Sequence, residues 1–155
     1  MVAAEVAPPA GFWIRFVAYM IDGLVMLVPA AILVGIFAAF VILTDESMDH
    51  EGLPALLVVA IVVLVAALIV VNWLYEALMT SSPRGATLGK MALGLRIVRF
   101  DGTQLSFGRA TARHFVKYMV TPMVPLAIGY IMAAFTNRKR ALHDILADTL
   151  VIKSP

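Results

Sequence analysis

A chain of 155 residues that is 62% hydrophobic and only 14% charged is too apolar for a soluble domain, which is typically near half apolar and about one quarter charged. The formal net charge is only +2, so the placement of the bases says more than their total, because Lys and Arg retained in loops orient a membrane protein. Cysteine is absent, which excludes disulfides and thiolate metal sites.

A single membrane domain over residues 1–155 is expected at this length. No Lys or Arg precedes Arg15, and the apolar run from Phe16 to Leu43 far exceeds the roughly 7–15 residues of a signal-peptide core. It is read as a retained first span over residues 14–43, interrupted by Asp22. At about 1.5 Å per residue it is longer than the ~30 Å hydrocarbon layer, so it must tilt, bend near Pro29 or begin at the interface. The loop 44–52 is acidic, with no Lys or Arg. A second span is predicted over 53–79, with Pro54 in its first turn and its polar residues, Asn72 and Glu76, near the far end.

Between Ser81 and Lys117 fall Arg84, Lys90, Arg96, Arg99, Arg109, Arg113 and Lys117. The positive-inside rule makes this segment cytoplasmic, the N-terminus cytoplasmic and the loop 44–52 external, in a multi-pass protein of the cytoplasmic (inner) membrane. Thr87 is placed to cap a short helix through about Leu93, closed by Gly94. Leu95–Phe100 reads as a strand, Asp101-Gly102 as a hairpin turn and Thr103–Ser106 as the return. Ser106 is the expected cap of an amphipathic helix reaching about Val120.

The third apolar stretch, 118–136, is short and broken by Pro122 and Pro125. It is either a third span or a re-entrant hairpin buried in protein. The tail 137–155 ends in the β-like run Thr149–Lys153, which suits pairing with Leu95–Phe100. Strands pair only on one side of a membrane, so the re-entrant form is favoured. The expected fold is therefore a mainly α-helical membrane protein. It has two long transmembrane helices, a third Pro-broken segment and a small cytoplasmic β-hairpin or three-stranded element.

Ionisable groups inside a span cost about 2.5–3.5 kcal/mol at mid-membrane, so Asp22 is the most informative residue. Arg15 lies seven residues before it, two turns away on nearly the same face. An antiparallel second helix would set Glu76 beside Arg15 and Asn72 beside Asp22, a polar cluster that satisfies all four. As a clamp it fixes helix packing; as an ion path it uses Asp22 as a protonatable carboxylate. The clamp is the simpler reading. Asp144 is expected to pair with a basic residue such as Arg15.

Gly85-Ala-Thr-Leu-Gly89-Lys90 fails as a phosphate-binding loop, which needs four residues between its glycines and Ser or Thr after Lys. A tight turn with close packing is expected instead. Lys90, Arg96, Arg113 and Arg138 are candidate contacts for anionic lipid. No cofactor, metal site or nucleic-acid partner is expected. No catalytic arrangement is discernible, so the chain is not expected to be an enzyme.

Three blocks in order resemble the RDD family, named for one arginine and two aspartates. They are Arg15-Phe-Val-Ala-Tyr-Met-Ile-Asp22-Gly, the Gly85–Lys90 run with Gly94-Leu-Arg-Ile-Val98, and Leu142-His-Asp144 with Asp148-Thr-Leu-Val151. The resemblance extends from Gly11 to Lys153 and implies a small polytopic membrane domain. It carries the arginine onto Arg15, the first aspartate onto Asp22 and the second onto Asp144, with Asp148 as the other candidate. Some members have been proposed as cation/proton antiporters, which implies a monovalent cation/proton antiporter working as a homo-oligomer or in a larger membrane complex. In that role Asp22 would carry the proton or cation with Asn72 and Glu76 as ligands. The alternative is a non-catalytic accessory subunit or a lipid-headgroup-binding module.

Overall fold

The computed structural model describes residues 7–45, 53–120, 128–136 and 139–154. Two long helices dominate it. Helix α1 runs over Phe12–Asp45 and α2 over Leu53–Ser81, each about two residues longer than expected at one or both ends. Both are long and apolar enough to cross a membrane. Pro29 is accommodated inside α1.

The chain divides into two compact units, one comprising Met26–Leu74 and the other Met1–Val25 with Tyr75–Pro155. In the 26–74 unit, Thr44 is the one buried residue among those described, and Leu27, Ile36, Val58 and Val62 are exposed. An all-round apolar surface suits hydrocarbon as solvent. The other unit holds the core, built on Leu95, Ile97, Val98, Leu150 and Val151. The first turns of α1, with Arg15 and Asp22, therefore belong to a packed unit. That is how α1 can exceed the hydrocarbon thickness and still place its charged residues.

After α2 the backbone turns at Gly85, whose φ of +60° is open to glycine at no steric penalty. Helix α3, Leu88–Ala92, follows, and Gly94 in the left-handed region closes it with its N–H on the Met91 carbonyl. Strand β1 covers Leu95–Arg99. Ser106 caps α4, Phe107–Phe115, its hydroxyl accepting from the Arg109 N–H, and a π-helical turn over Val116–Val120 prolongs it. Helices α5, Ile128–Phe135, and α6, Leu142–Leu146, lead to β2, Thr149–Lys153.

Strands β1 and β2 pair antiparallel, from Leu95 opposite Lys153 to Arg99 opposite Thr149, as the β-like tail suggested. The expected hairpin return over Thr103–Ser106 is not a strand. The Asp101 side chain accepts from the Thr103 N–H at 2.9 Å and from its hydroxyl, which turns the chain locally instead of extending it. The far edge of β2 is taken by the N-terminal lead, where Pro9 bridges Ile152 and the Ala10 N–H donates to the Val151 carbonyl at 2.9 Å. Proline suits that edge because it has no N–H to offer a further strand.

The Pro-broken part of the third stretch, 121–127, lies outside the described residues. Helix α5 has eight residues, about 12 Å, less than half of a ~30 Å hydrocarbon layer, so by itself it is not a span.

Candidate functional site

Three carboxylates gather the polar chemistry of the larger unit. Asp144 is fully buried, at 0% exposure, in the first turn of α6. It takes the Arg15 guanidinium on Oδ2, the Arg113 Nη2 on Oδ1 at 2.7 Å, and the Ala141 N–H at 3.2 Å. Burial alone would raise its pKa, but the charges around it, Arg113 foremost, hold the carboxyl well below the usual range. His143 lies 3.5 Å from Asp144 and is drawn down to about 3 by its own burial, with the charge of Arg113 adding to the effect.

Glu76, near the end of α2, accepts from Lys117 Nζ at 3.0 and 3.1 Å and meets His114 Nδ1 at 3.0 Å. Arg113 Nη1 stands 3.5 Å from the same carboxylate. One guanidinium thus links Glu76 to Asp144. The amphipathic pattern of α4 explains this, since Arg113 and His114 lie on its buried side and Lys117 follows them, also buried, in the π-helical turn.

Asp22 forms the third centre. Its oxygens accept from the Tyr75 hydroxyl at 2.7 Å, the Thr87 hydroxyl at 2.6 Å and the Gly89 N–H at 2.7 Å. Thr87 occupies the cap position of α3 but spends its hydroxyl on Asp22, so a side chain from α1 caps that helix through Gly89. Such an approach requires glycine: a Cβ at Gly89 would meet the Ala18 carbonyl oxygen and lie 2.9 Å from the Asp22 carboxyl carbon. The expected close packing around Gly85 and Gly89 is present, with Gly85 against the Ile97 backbone.

The expected pairings therefore change partners. Arg15 goes to Asp144, as its default partner, while Glu76 is served by Lys117, His114 and Arg113. The role expected of Asn72 beside Asp22 falls to Tyr75, Thr87 and Gly89, and Asn72 belongs to the 26–74 unit. Among the lipid-contact candidates, Lys90 and Arg113 are buried in the network, Arg96 is half-buried on β1, and Arg138 lies outside the described residues. Asp148 is largely exposed, in contact with Arg109 at 3.5 Å, which leaves Asp144 as the aspartate built into the interior. Tyr75, His114 and Lys117 were not among the expected site residues, because the type of a side chain in sequence carries no sign of its partner.

The two buried lysines differ. Lys117 has Glu76 in hydrogen-bond contact, and that carboxylate outweighs burial and raises its pKa. Lys90 has the Thr87 hydroxyl at 3.1 Å and its nearest paired carboxylate oxygen, on Asp22, at 3.9 Å. Burial draws it down to about 8, against the pull of Glu76. A cavity of about 470 Å³ opens beside these groups, lined by Arg15, Lys90, Arg113 and Lys117 and by the rings of Phe12 and Phe16. No carboxylate lines it among the described residues. No cluster of His, Asp or Glu suited to a metal ion occurs among the described residues.

The model of the RDD family matches residues 9–148. YxaI of Bacillus subtilis (strain 168) is 38% identical over 93% of this chain and 97% of its own length. YckC of the same organism is 30% identical over 92% of the chain and 83% of its own. YteJ, also of Bacillus subtilis and described as a membrane protein, is 32% identical over 92% of the chain and 80% of its own. No solved structure matches the chain. With the buried Arg15–Asp144 pair, the Asp22 centre and two membrane-length helices in place, the match over almost all of the chain makes this protein a member of the RDD family of small membrane proteins.

Proposed function

We propose that the protein is a non-catalytic membrane module whose basic end binds anionic headgroups at the cytoplasmic face. The observation that carries this reading is the charge inventory of the network. Arg15, Lys90, Arg113 and Lys117 supply four cations, whereas Asp22, Glu76 and Asp144 supply three anions. Each carboxylate already holds two or more donors, and the cavity beside them is bordered by the cations. An anion is the partner such a surface attracts.

Cation/proton exchange draws on the same residues but needs a carboxylate free to trade a proton for a metal cation. Asp144 sits between Arg15 and Arg113, and Glu76 between that same Arg113 and Lys117, so a Na⁺ there would meet three cations around two carboxylates. The charge inventory favours binding over exchange. The orientation follows the basic 81–117 segment against the acidic 44–52 loop.

Reconstitution of the full chain into liposomes tests the reading. We expect no Na⁺- or K⁺-driven proton flux above protein-free liposomes, together with enrichment of anionic over zwitterionic lipid around the purified protein. Proton flux that disappears in Asp22→Asn would overturn it in favour of the exchanger.

A further inference from the structure

The surplus charge and the shape of the cavity together specify a ligand. Among the described residues, four cations against three anions leave this buried and half-buried network one positive charge in surplus, with the histidines counted as neutral. A buried charge without a partner is unfavourable by several kcal/mol in general, so such a site gains most from a ligand bearing a single negative charge. Lys90 is the group with capacity to spare. Its ammonium carries three donors, of which the Thr87 hydroxyl takes one, and Asp22 stays beyond hydrogen-bond distance at 3.9 Å.

The rest of the lining is largely apolar. Phe12, Phe16 and Tyr19 rise along one side of α1, with Tyr19 under the Lys117 ammonium at 5.2 Å, and Ala133 and Val151 add aliphatic surface. Phe16 and Tyr19 line the cavity and are also 46% and 50% exposed, so the apolar wall continues out to the surface. A cavity of about 470 Å³ is of ligand size, since pockets of this kind run from about 300 to 1,000 Å³. It is too small for a whole two-chain lipid and ample for a headgroup with the first part of its chains.

We propose that this cavity holds the phosphodiester headgroup of one anionic glycerophospholipid, with Lys90 as its principal contact and the acyl chains leaving along Phe16 and Tyr19. The phosphodiester supplies one negative charge and acceptor oxygens; the rings supply the surface for the chains. The assignment rests on the headgroup-binding reading above and adds to it the site, the stoichiometry and the charge of the ligand. The low pKa of Lys90 agrees with a buried amine whose counter-ion is an added ligand.

Native mass spectrometry of the full chain, exchanged into nanodiscs of phosphatidylglycerol and phosphatidylcholine and then released, distinguishes the outcomes. The expected result is one phosphatidylglycerol retained per chain. Lys90→Met should lower that retention on the order of tenfold, the effect of losing one charge-assisted hydrogen bond. Ala133→Phe, which puts a ring in place of a lining methyl, should lower it as well. Retention is scored for each variant as phosphatidylglycerol relative to phosphatidylcholine on the folded protein, so a shifted unfolding transition does not remove the readout. Retention unchanged in both overturns the cavity while leaving headgroup binding elsewhere on the basic face. Absence of any preference for phosphatidylglycerol in the wild type overturns headgroup binding itself. Displacement of the lipid by inorganic phosphate alone, or a dimer whose interface fills the cavity, would also overturn the lipid assignment.

Discussion

Arg15 and Asp144 stand 129 residues apart in the chain and meet as a buried ion pair, the first turn of the long N-terminal helix held against a short helix near the C-terminus. Arg113 holds the other oxygen of the same carboxylate and reaches Glu76 with its remaining nitrogen. The pair is thus one link in a chain of charge from α1 through α6 and α4 to α2. Removing a link leaves a buried charge exposed to no water, which is worse than never having had the pair.

Asp144→Asn is therefore expected to destabilise the protein by about 3–5 kcal/mol, the usual effect of breaking one side of a buried pair. Asp148→Asn, on an exposed carboxylate, should change stability by less than about 1 kcal/mol. Denaturant unfolding in detergent micelles measures both. Equal stabilities for the two variants would show that the buried network does not hold the fold.

Gly89→Ala tests the closeness of α3 to α1. Its Cβ has no room beside the Ala18 carbonyl and the Asp22 carboxyl, so the Gly89 N–H bond to Asp22 must lengthen. A loss of about 1–3 kcal/mol is expected from overpacking. Gly23→Ala makes the matched control: its Cβ meets nothing within 4 Å, and alanine in a helix gains about 0.5–1 kcal/mol over glycine. Opposite signs for the two substitutions, read from unfolding midpoints, are the expected result.

Stability should fall on acidification from about pH 6.5 downwards. His143 has a native value of about 3 against an ordinary 6.5, so between those values the unfolded chain binds a proton that the native protein does not. Stability then rises with pH across that window. Asp144 acts in the same direction below its ordinary 3.8, because its native value is lower still. In His143→Gln the slope between pH 4 and 6 should flatten on the order of one proton's worth. A slope left unchanged would remove His143 as its source.

Pairing of β1 with β2 requires residues 95–99 and 149–153 to share one side of the membrane. Single cysteines placed at Asp101 and Lys153 should react with an impermeant maleimide from the same side. Under the proposed orientation that side is the cytoplasm, so both label in inside-out vesicles and neither in intact cells. Labelling from opposite sides would require residues 118–136 to span.

The sequence alone determined the two spans, because a run of apolar residues long enough for a bilayer is a local property that no distant partner can alter. It also determined the α4 cap at Ser106, the close of α3 at Gly94 and the pairing of the tail with β1, each written in short-range turn and strand chemistry. It marked Arg15, Asp22, Glu76 and Asp144 as residues too costly to bury alone. Only the tertiary structure decided who compensates them: Lys117 and His114 for Glu76, and a tyrosine, a threonine and a glycine N–H for Asp22. Burial cost belongs to a side chain and can be read from its type, whereas a partner is defined by proximity. Proximity here is created by the packing of α1, α3, α4 and α6, and a backbone N–H such as that of Gly89 carries no signature in sequence.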